Sequence, residues 1–337
     1  MRRALVVGFL AAFAACFFAG AVLAEPITLT YSVFFPPTHA QAKAAVDWAK
    51  EIEKRTGGKV KIEVVAGGTL TKAPEVFKGV EDGISDIGMS CFAYTAGRFP
   101  VMSAIDLPMG YPNGMVASQV ANEFAQRTNP PELSGVHLLY VHAHGPGLLH
   151  TQKPVARLED LAKMKIRATG YSAKVAEALG AVPVAMSQNE AYEALKSGVV
   201  EGTFTPMETL KGWKQAEVIK STTMCKSVGY TTAMFVVMNK AKWDALPADV
   251  QKVFTEVSAQ WVRVHGAAWD QADADGLAFT KEKGNKVIVL SAKEDARWRK
   301  AVEPVIAKYE ADTPGGKAYV AQIRGLIKKF SAPMKKK

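Results

Sequence analysis

The chain has 337 residues, enough for one large or two medium domains with cores of their own. Its 48% hydrophobic and 22% charged content is ordinary for a folded protein and excludes disorder. A formal charge of +10 invites a nucleic-acid reading, but the lysines lie scattered among Glu and Asp with no basic stripe interleaved with aromatics, so nucleic acid is not expected as a partner. A mild positive field instead speeds the capture of anionic solutes.

The N-terminus reads as an export signal. Met1-Arg2-Arg3 is a charged start, residues 4–22 are apolar, and Val22-Leu23-Ala24 is a small-residue cleavage pattern before Glu25-Pro26, so residues 1–24 are expected to be removed. The alternative is an uncleaved anchor, since the apolar run approaches the roughly 20 residues that span a bilayer. Phe13-Ala14-Ala15-Cys16 resembles a lipoprotein site but lacks the usual leucine. Cleavage removes Arg2, Arg3 and Cys16 and leaves a charge of +8. Cys91 and Cys225 then fall in different domains and are expected as free, buried thiols.

Residues 27–32 read as a strand, and the prolines of Phe34-Phe35-Pro36-Pro37-Thr38-His39 force a loop after it. Ala45, Trp48, Ala49 and Ile52 share one face of a helix over 41–55, which Gly57-Gly58 ends. Alternation over 60–64 predicts a half-buried strand, followed by a helix near 74–80 and a strand over 86–90. A strand over 136–141 takes the chain towards a second domain, because His142-Ala143-His144-Gly145-Pro146-Gly147 breaks regularity. Residues 231–238 form the matching return.

The central stretch carries the most information. Residues 165–168 form a strand that turns out at Thr169-Gly170, and Val175, Ala178 and Leu179 pattern a helix that Gly180 stops. Residues 181–186 are an apolar strand that Pro183 places at an edge, and the Ser187-x-x-Glu190 capping box starts a helix over 188–196. A third strand, 202–205, ends at Pro206. Two βαβ units imply parallel strands, whose ligands collect outside the carboxyl ends. Arg167 sits at such an end, where it is either a carboxylate clamp or a strand-end arginine in surface ion pairs.

Residues 248–282 pattern an unusually long helix with Val250, Val253, Val257, Trp261 and Val264 on one face, Pro247 at its start and Gly266 as the place for a bend. A strand over 287–290, a Ser291-x-x-Glu294 capping box and helices to about residue 330 follow.

No G-x-S-x-G, H-E-x-x-H, Walker loop or C-x-x-C occurs, so an enzyme is not favoured and no cofactor is expected. Gly145-Pro146-Gly147 begins like a dinucleotide fingerprint but lacks its third glycine. His142 and His144 alternate on one strand, with His39 able to approach across a cleft; a histidine metal site is geometrically open, though none is expected. The other reading is that His39 or His144 donates a hydrogen bond to an anionic ligand. Phe34, Phe35, Tyr94, Phe204 and Trp213 form either an apolar wall around a ligand or ordinary core. Arg98 is taken to hold a loop rather than an anion.

The run K-I-R, then A-x-A-L-G-A-x-P-V-x-M, then E-A-Y-E-A-L-x-x-G-V-V-E-G-x-x-x-P resembles the signature block of the substrate-binding proteins of TRAP transporters. YSVFFPPTHAQAKAAVDWAKEIEKRTGGKVKIEVVAGGTL, GRFPVMSAIDLPM and FVVMNKAKWDALPADVQKV are similar in the same order, so the resemblance spans nearly the whole mature chain. It implies an α/β, two-lobed periplasmic binding protein of type II-like arrangement, with two βα domains joined by crossing strands and a long supporting helix. The domains would be 25–144 with 231–270, and 145–230 with 271–337. It further implies a monomer in the periplasm that is not an enzyme, clamps an organic acid anion through Arg167 and hands it to small and large membrane subunits.

Departures from the family pattern bear on the ligand. Where the family commonly reads Q-E-N-P with the asparagine on the ligand, this chain reads T-F-T-P, which puts Phe204 and the Thr205 hydroxyl there. Gly147 stands where relatives that hold a second acidic group often place arginine. The expected solute is therefore a monocarboxylate with an apolar or aromatic body, bound by Arg167, Thr205, Phe204, Phe35, His39, Tyr94, His144 and Trp213. The alternatives are a C4-dicarboxylate or 2-oxo acid receptor of the same class, or a metal-assisted periplasmic enzyme.

Overall fold

A computed structural model describes residues 25–332. The export signal and the last lysines, Lys335 to Lys337, lie outside the described residues. The first lobe opens with β1 (Ile27–Val33), α1 (Ala40–Arg55) and β2 (Val60–Ala66). His39 caps α1 by accepting the Gln41 N–H on Nδ1, and the helix stops where Gly57 and Gly58 take φ of 62° and 80°. α2 (Val76–Glu81) and β3 (Ile87–Cys91) follow. The next stretch carries no expected element. It forms α3 (Gly114–Thr128), whose Asn113 cap accepts the Val116 N–H at 2.8 Å and whose Val116, Val120 and Phe124 turn inward. β4 (Val136–Ala143) completes this half.

The second lobe holds β5 (Leu148–Thr151), β6 (Lys165–Arg167), α4 (Gly170–Ala178), β7 (Val182–Val184), α5 (Gln188–Lys196), β8 (Gly202–Thr205), the single turn α6 (Thr209–Gly212) and β9 (Ser221–Met224). The chain returns through β10 (Ala233–Asn239), α7 (Lys240–Asp244) and α8 (Ala248–Glu282), then adds β11 (Lys286–Val289), α9 (Ala292–Asp312) and α10 (Gly316–Ser331).

Two separate sheets result. The first runs β2-β1-β3-β10-β4, with the returning β10 inserted antiparallel between β3 and β4. The second runs β11-β9-β5-β8-β6-β7, with β6 parallel to both β7 and β8. The crossings fall between β4 and β5 and between β9 and β10, where Gly147 N–H donates to the Tyr230 carbonyl at 2.8 Å and the Thr231 hydroxyl donates to the His144 carbonyl at 2.6 Å. The cleft therefore lies over two bonded, narrow connections, the geometry of a hinge.

Helix α8 is the common support. It buries Val250, Phe254, Val257, Val262, His265 and Trp269, while Val264 is 40% exposed. The expected stripe followed a seven-residue repeat, and a straight helix drifts about 20° per heptad away from such a repeat. No bend is needed at Gly266. A Cβ there would come within 2.9 Å of Met115 Cα, and one on Gly276 within 2.1 Å of the Met207 carbonyl, so the two glycines let α8 press on the first lobe and then on the second.

One domain boundary requires correction. Residues 271–337 are not all second-lobe: α9 leaves Trp298 and Val302 in the second core, but its later Val305, Ile306 and Tyr309, with Val320, Ile323 and Leu326 of α10, pack into the first. Apolar spacing shows that a helix has a buried face but not which core it faces. Cys91 and Cys225 are buried and free; burial pushes the Cys225 thiol to about 12 and Cys91 above the usual thiol range. Among the described residues no helix is long and apolar enough to cross a membrane.

Candidate functional site

β6 is short, and its last residue points its side chain into the cleft. Arg167 is only 4% exposed, yet no carboxylate pairs with it among the described residues. Its Nε and one Nη2 hydrogen go to the Met186 carbonyl at 3.1 and 2.9 Å, just beyond β7. A guanidinium has five N–H donors in a planar fork, so the Nη1/Nη2 edge stays available and is oriented by the other. Leaving such a charge buried without an anion is costly, and among the described residues no structural ion pair offsets it. The surface ion-pair reading of Arg167 is thereby overturned.

Around Arg167 stand Phe34, Phe35 and Tyr94 from the first lobe, Phe204, Thr205 and Trp213 from the second, and His144 and Tyr230 from the crossings. The rings interlock across the cleft: Phe34 and Phe35 lie 4.0 Å apart by centroid, and Trp213 lies 6.2 and 6.0 Å from them. The lobes are drawn close, and the free volume inside the cleft is about 40 Å³. An organic acid enters this cleft only if the lobes part.

Three inter-lobe bonds hold the closed form. Gln188 N–H donates to the Tyr94 hydroxyl at 3.2 Å, Asn189 Nδ2 donates to the Phe34 carbonyl at 3.3 Å, and His39 Nε2 donates to Glu208 Oε2 at 2.8 Å. His39 has Nδ1 committed as acceptor of the Gln41 N–H, so its proton is on Nε2. Both members of the His39–Glu208 pair are buried. Glu208 is anchored in turn, its N–H donating to Asp273 Oδ1 of α8 at 2.9 Å.

The histidines require corrections. His39 spends its donor on Glu208 and does not line the cleft. His144 lines it, but its Nδ1–H goes to the Gly145 carbonyl at 2.5 Å, and burial lowers its pKa to about 4. Neither has a proton to give an anion. His142 points into the first core, accepting the Trp269 N–H at 3.0 Å and stacking on His265 at 4.0 Å. The three histidines whose approach the sequence left open lie in three environments, and among the described residues no three His, Cys, Asp or Glu side chains are grouped to hold a metal ion.

Thr205 is among the residues that line the cleft. His150 sits behind it, donating Nε2–H to the Thr205 carbonyl at 3.2 Å and accepting from the Thr222 hydroxyl at 2.9 Å. Arg98 pairs with Glu81 at 2.6 Å and lies 4.5 Å over the Phe77 ring, away from the cleft. Glu208, Gln188, Tyr230 and Trp269 also line the cleft and were not foreseen. Tyr230 and Trp269 come from the hinge and the long helix, whose approach to the cleft no local pattern encodes.

Two sheets, a double crossing and a buried, unpaired arginine between them define a two-lobed solute receptor. Residues 31–312 match the family described as Bacterial extracellular solute-binding protein, family 7 (DctP), and the chain belongs to that family. It is 28% identical over 293 residues, 84% of this chain and 86% of the relative, to the C4-dicarboxylate-binding periplasmic protein DctP of Rhodobacter capsulatus. A TRAP solute-binding protein from Rhodoferax ferrireducens in complex with copurified benzoate is 27% identical, with a TM-score of 0.86 over 90% of this chain and 98% of that one. A TRAP periplasmic solute-binding protein from Bordetella bronchiseptica with bound (R)- and (S)-mandelate is 29% identical, with a TM-score of 0.84 over 91% and 100%.

Proposed function

We propose that the protein captures an organic acid with a single carboxylate and an apolar or aromatic body in the periplasm, and delivers it to the membrane subunits of a TRAP transporter. The observation that carries this reading is the outer Nη edge of Arg167, a buried cation left without a carboxylate partner among the described residues. The aromatic surround from both lobes supports an apolar ligand body, and structural relatives bind benzoate and mandelate.

Capture follows from the hinge. In the open form Arg167 is hydrated; closure strips that water, and the ligand carboxylate offsets the cost only in the closed form. The ligand shifts the equilibrium by that difference in affinity and by no more. The closed surface is then what a membrane subunit reads.

A dicarboxylate is disfavoured by two features. Tyr230 fills the space beside Gly147, and Glu208 brings a negative charge to the lining. Native mass spectrometry of the purified protein tests the reading: a carried or exchanged aromatic monocarboxylate, returned unchanged, is expected. Selective retention of succinate, or turnover of the acid, would contradict it.

A further inference from the structure

The polar groups of the cleft sort into those with protons to give and those without. Arg167 keeps its outer edge, and Gln188 Nε2 is a buried donor without a partner among the described residues. Three groups of the lining offer acceptors instead. A carbonyl only accepts, so the 2.5 Å contact of His144 with Gly145 puts the proton on Nδ1 and leaves Nε2 as a bare lone pair, with no partner among the described residues. Burial keeps that ring neutral at ordinary pH.

The same reasoning applies to Thr205. Thr209 gives its hydroxyl proton to the Pro206 carbonyl at 2.9 Å, so Thr205 is the donor in the 2.9 Å contact between the two hydroxyls. Its oxygen retains a lone pair and no proton for a ligand. Glu208 takes the His39 proton on Oε2, and its Oε1 has no partner among the described residues. All three groups are nearly fully buried, His144 at 4%, Thr205 at 3% and Glu208 at 2% exposed. Buried acceptors left without donors are destabilising, and a second carboxylate would add another acceptor and a like charge.

We infer that the ligand carries a hydroxyl group besides its carboxylate, that closure brings this hydroxyl against His144 Nε2, and that His144 is the residue selecting hydroxylated over unsubstituted aromatic acids. The inference rests on the monocarboxylate reading of Arg167. A site built to bond a hydroxyl discriminates strongly against the analogue lacking it, because its own polar group is then stranded.

Titration calorimetry with two matched pairs, mandelate against phenylacetate and 3-hydroxybenzoate against benzoate, tests this on the mature protein. In wild type at least one hydroxylated acid should bind tighter than its partner by about tenfold or more, as one hydrogen bond in a buried site provides. In His144→Phe that preference should vanish, the ratio within each pair falling to about one. His144→Gln, which keeps an acceptor, should retain it, and serves as the test should the phenylalanine variant not fold. Equal binding within both pairs, or a preference that survives His144→Phe, overturns the inference and leaves the monocarboxylate reading standing. Failure of all four acids to bind sinks both.

Discussion

Tyr230 occupies the space that any side chain at residue 147 would need: a Cβ added to Gly147 would lie 1.9 Å from Tyr230 Cε1. Tyr230 is buried and lines the cleft, so it cannot swing aside without opening the hinge. Gly147→Arg is therefore expected to destabilise the protein by about 3 kcal/mol or more, the upper range for overpacking, without creating affinity for succinate. Thermal melting of that variant beside Gly147→Arg/Tyr230→Ala checks the cause, since removing the ring should recover part of the loss. A single variant that melts like wild type would show that the ring yields freely.

The His39–Glu208 pair joins the two lobes and is expected to favour closure. Each partner is solvated when the lobes part and buried when they meet, and stranding one member of a buried pair costs about 3–5 kcal/mol. His39→Ala should therefore weaken binding of any acid by about two or more powers of ten. His39→Ala/Glu208→Ala should lose less than the sum of the single variants. Strictly additive losses in titration calorimetry would mean that the two residues do not work as a pair.

Acid sensitivity follows from the buried histidines. Burial lowers His144 and His150 to about 4, His265 to about 3 and His142 well below its usual value. The unfolded chain binds their protons first, so the stability they contribute is complete above about pH 6.5 and is lost as pH falls towards 4. Asp106 works in the opposite sense: burial raises it to about 8, so its contribution is complete below about pH 4 and is lost as pH rises through 8. Melting curves at pH 4.5, 6.5 and 8.5 should show a maximum near 6.5. Asp106→Asn, which keeps the acceptor for the Ala233 N–H, should lessen the fall between pH 6.5 and 8.5, to which Asp273, also raised to about 8 by burial, still contributes. A wild type that melts highest at pH 4.5 would contradict the acid limb.

Much of this architecture was legible locally. The capping box at Ser187, the glycine stops after α1 and the strand-helix alternation around Arg167 all fall where spacing put them, because each is fixed by neighbours in sequence. Arg167 was singled out by its place at a strand end, which left two readings open, and the choice of the clamp rested on the family resemblance. What escaped was set by contacts across the chain. The partners of His39 and His144 depend on Glu208, 169 residues away, and on a carbonyl at the hinge, and histidine roles follow from partners rather than from position. The packing of α10 on the first core likewise follows from the path of α9, which bridges both lobes.

Arg167 bears the central claim, and one titration series addresses it most directly. Arg167→Ala should cost roughly 3–5 kcal/mol of binding free energy for an aromatic acid such as benzoate or mandelate, or about two to three and a half powers of ten in affinity. Arg167→Lys should recover only part, since an ammonium cannot reproduce the two-pronged edge. With circular dichroism showing both variants folded, calorimetry in which Arg167→Ala binds the same acid within a few-fold of wild type would contradict the account.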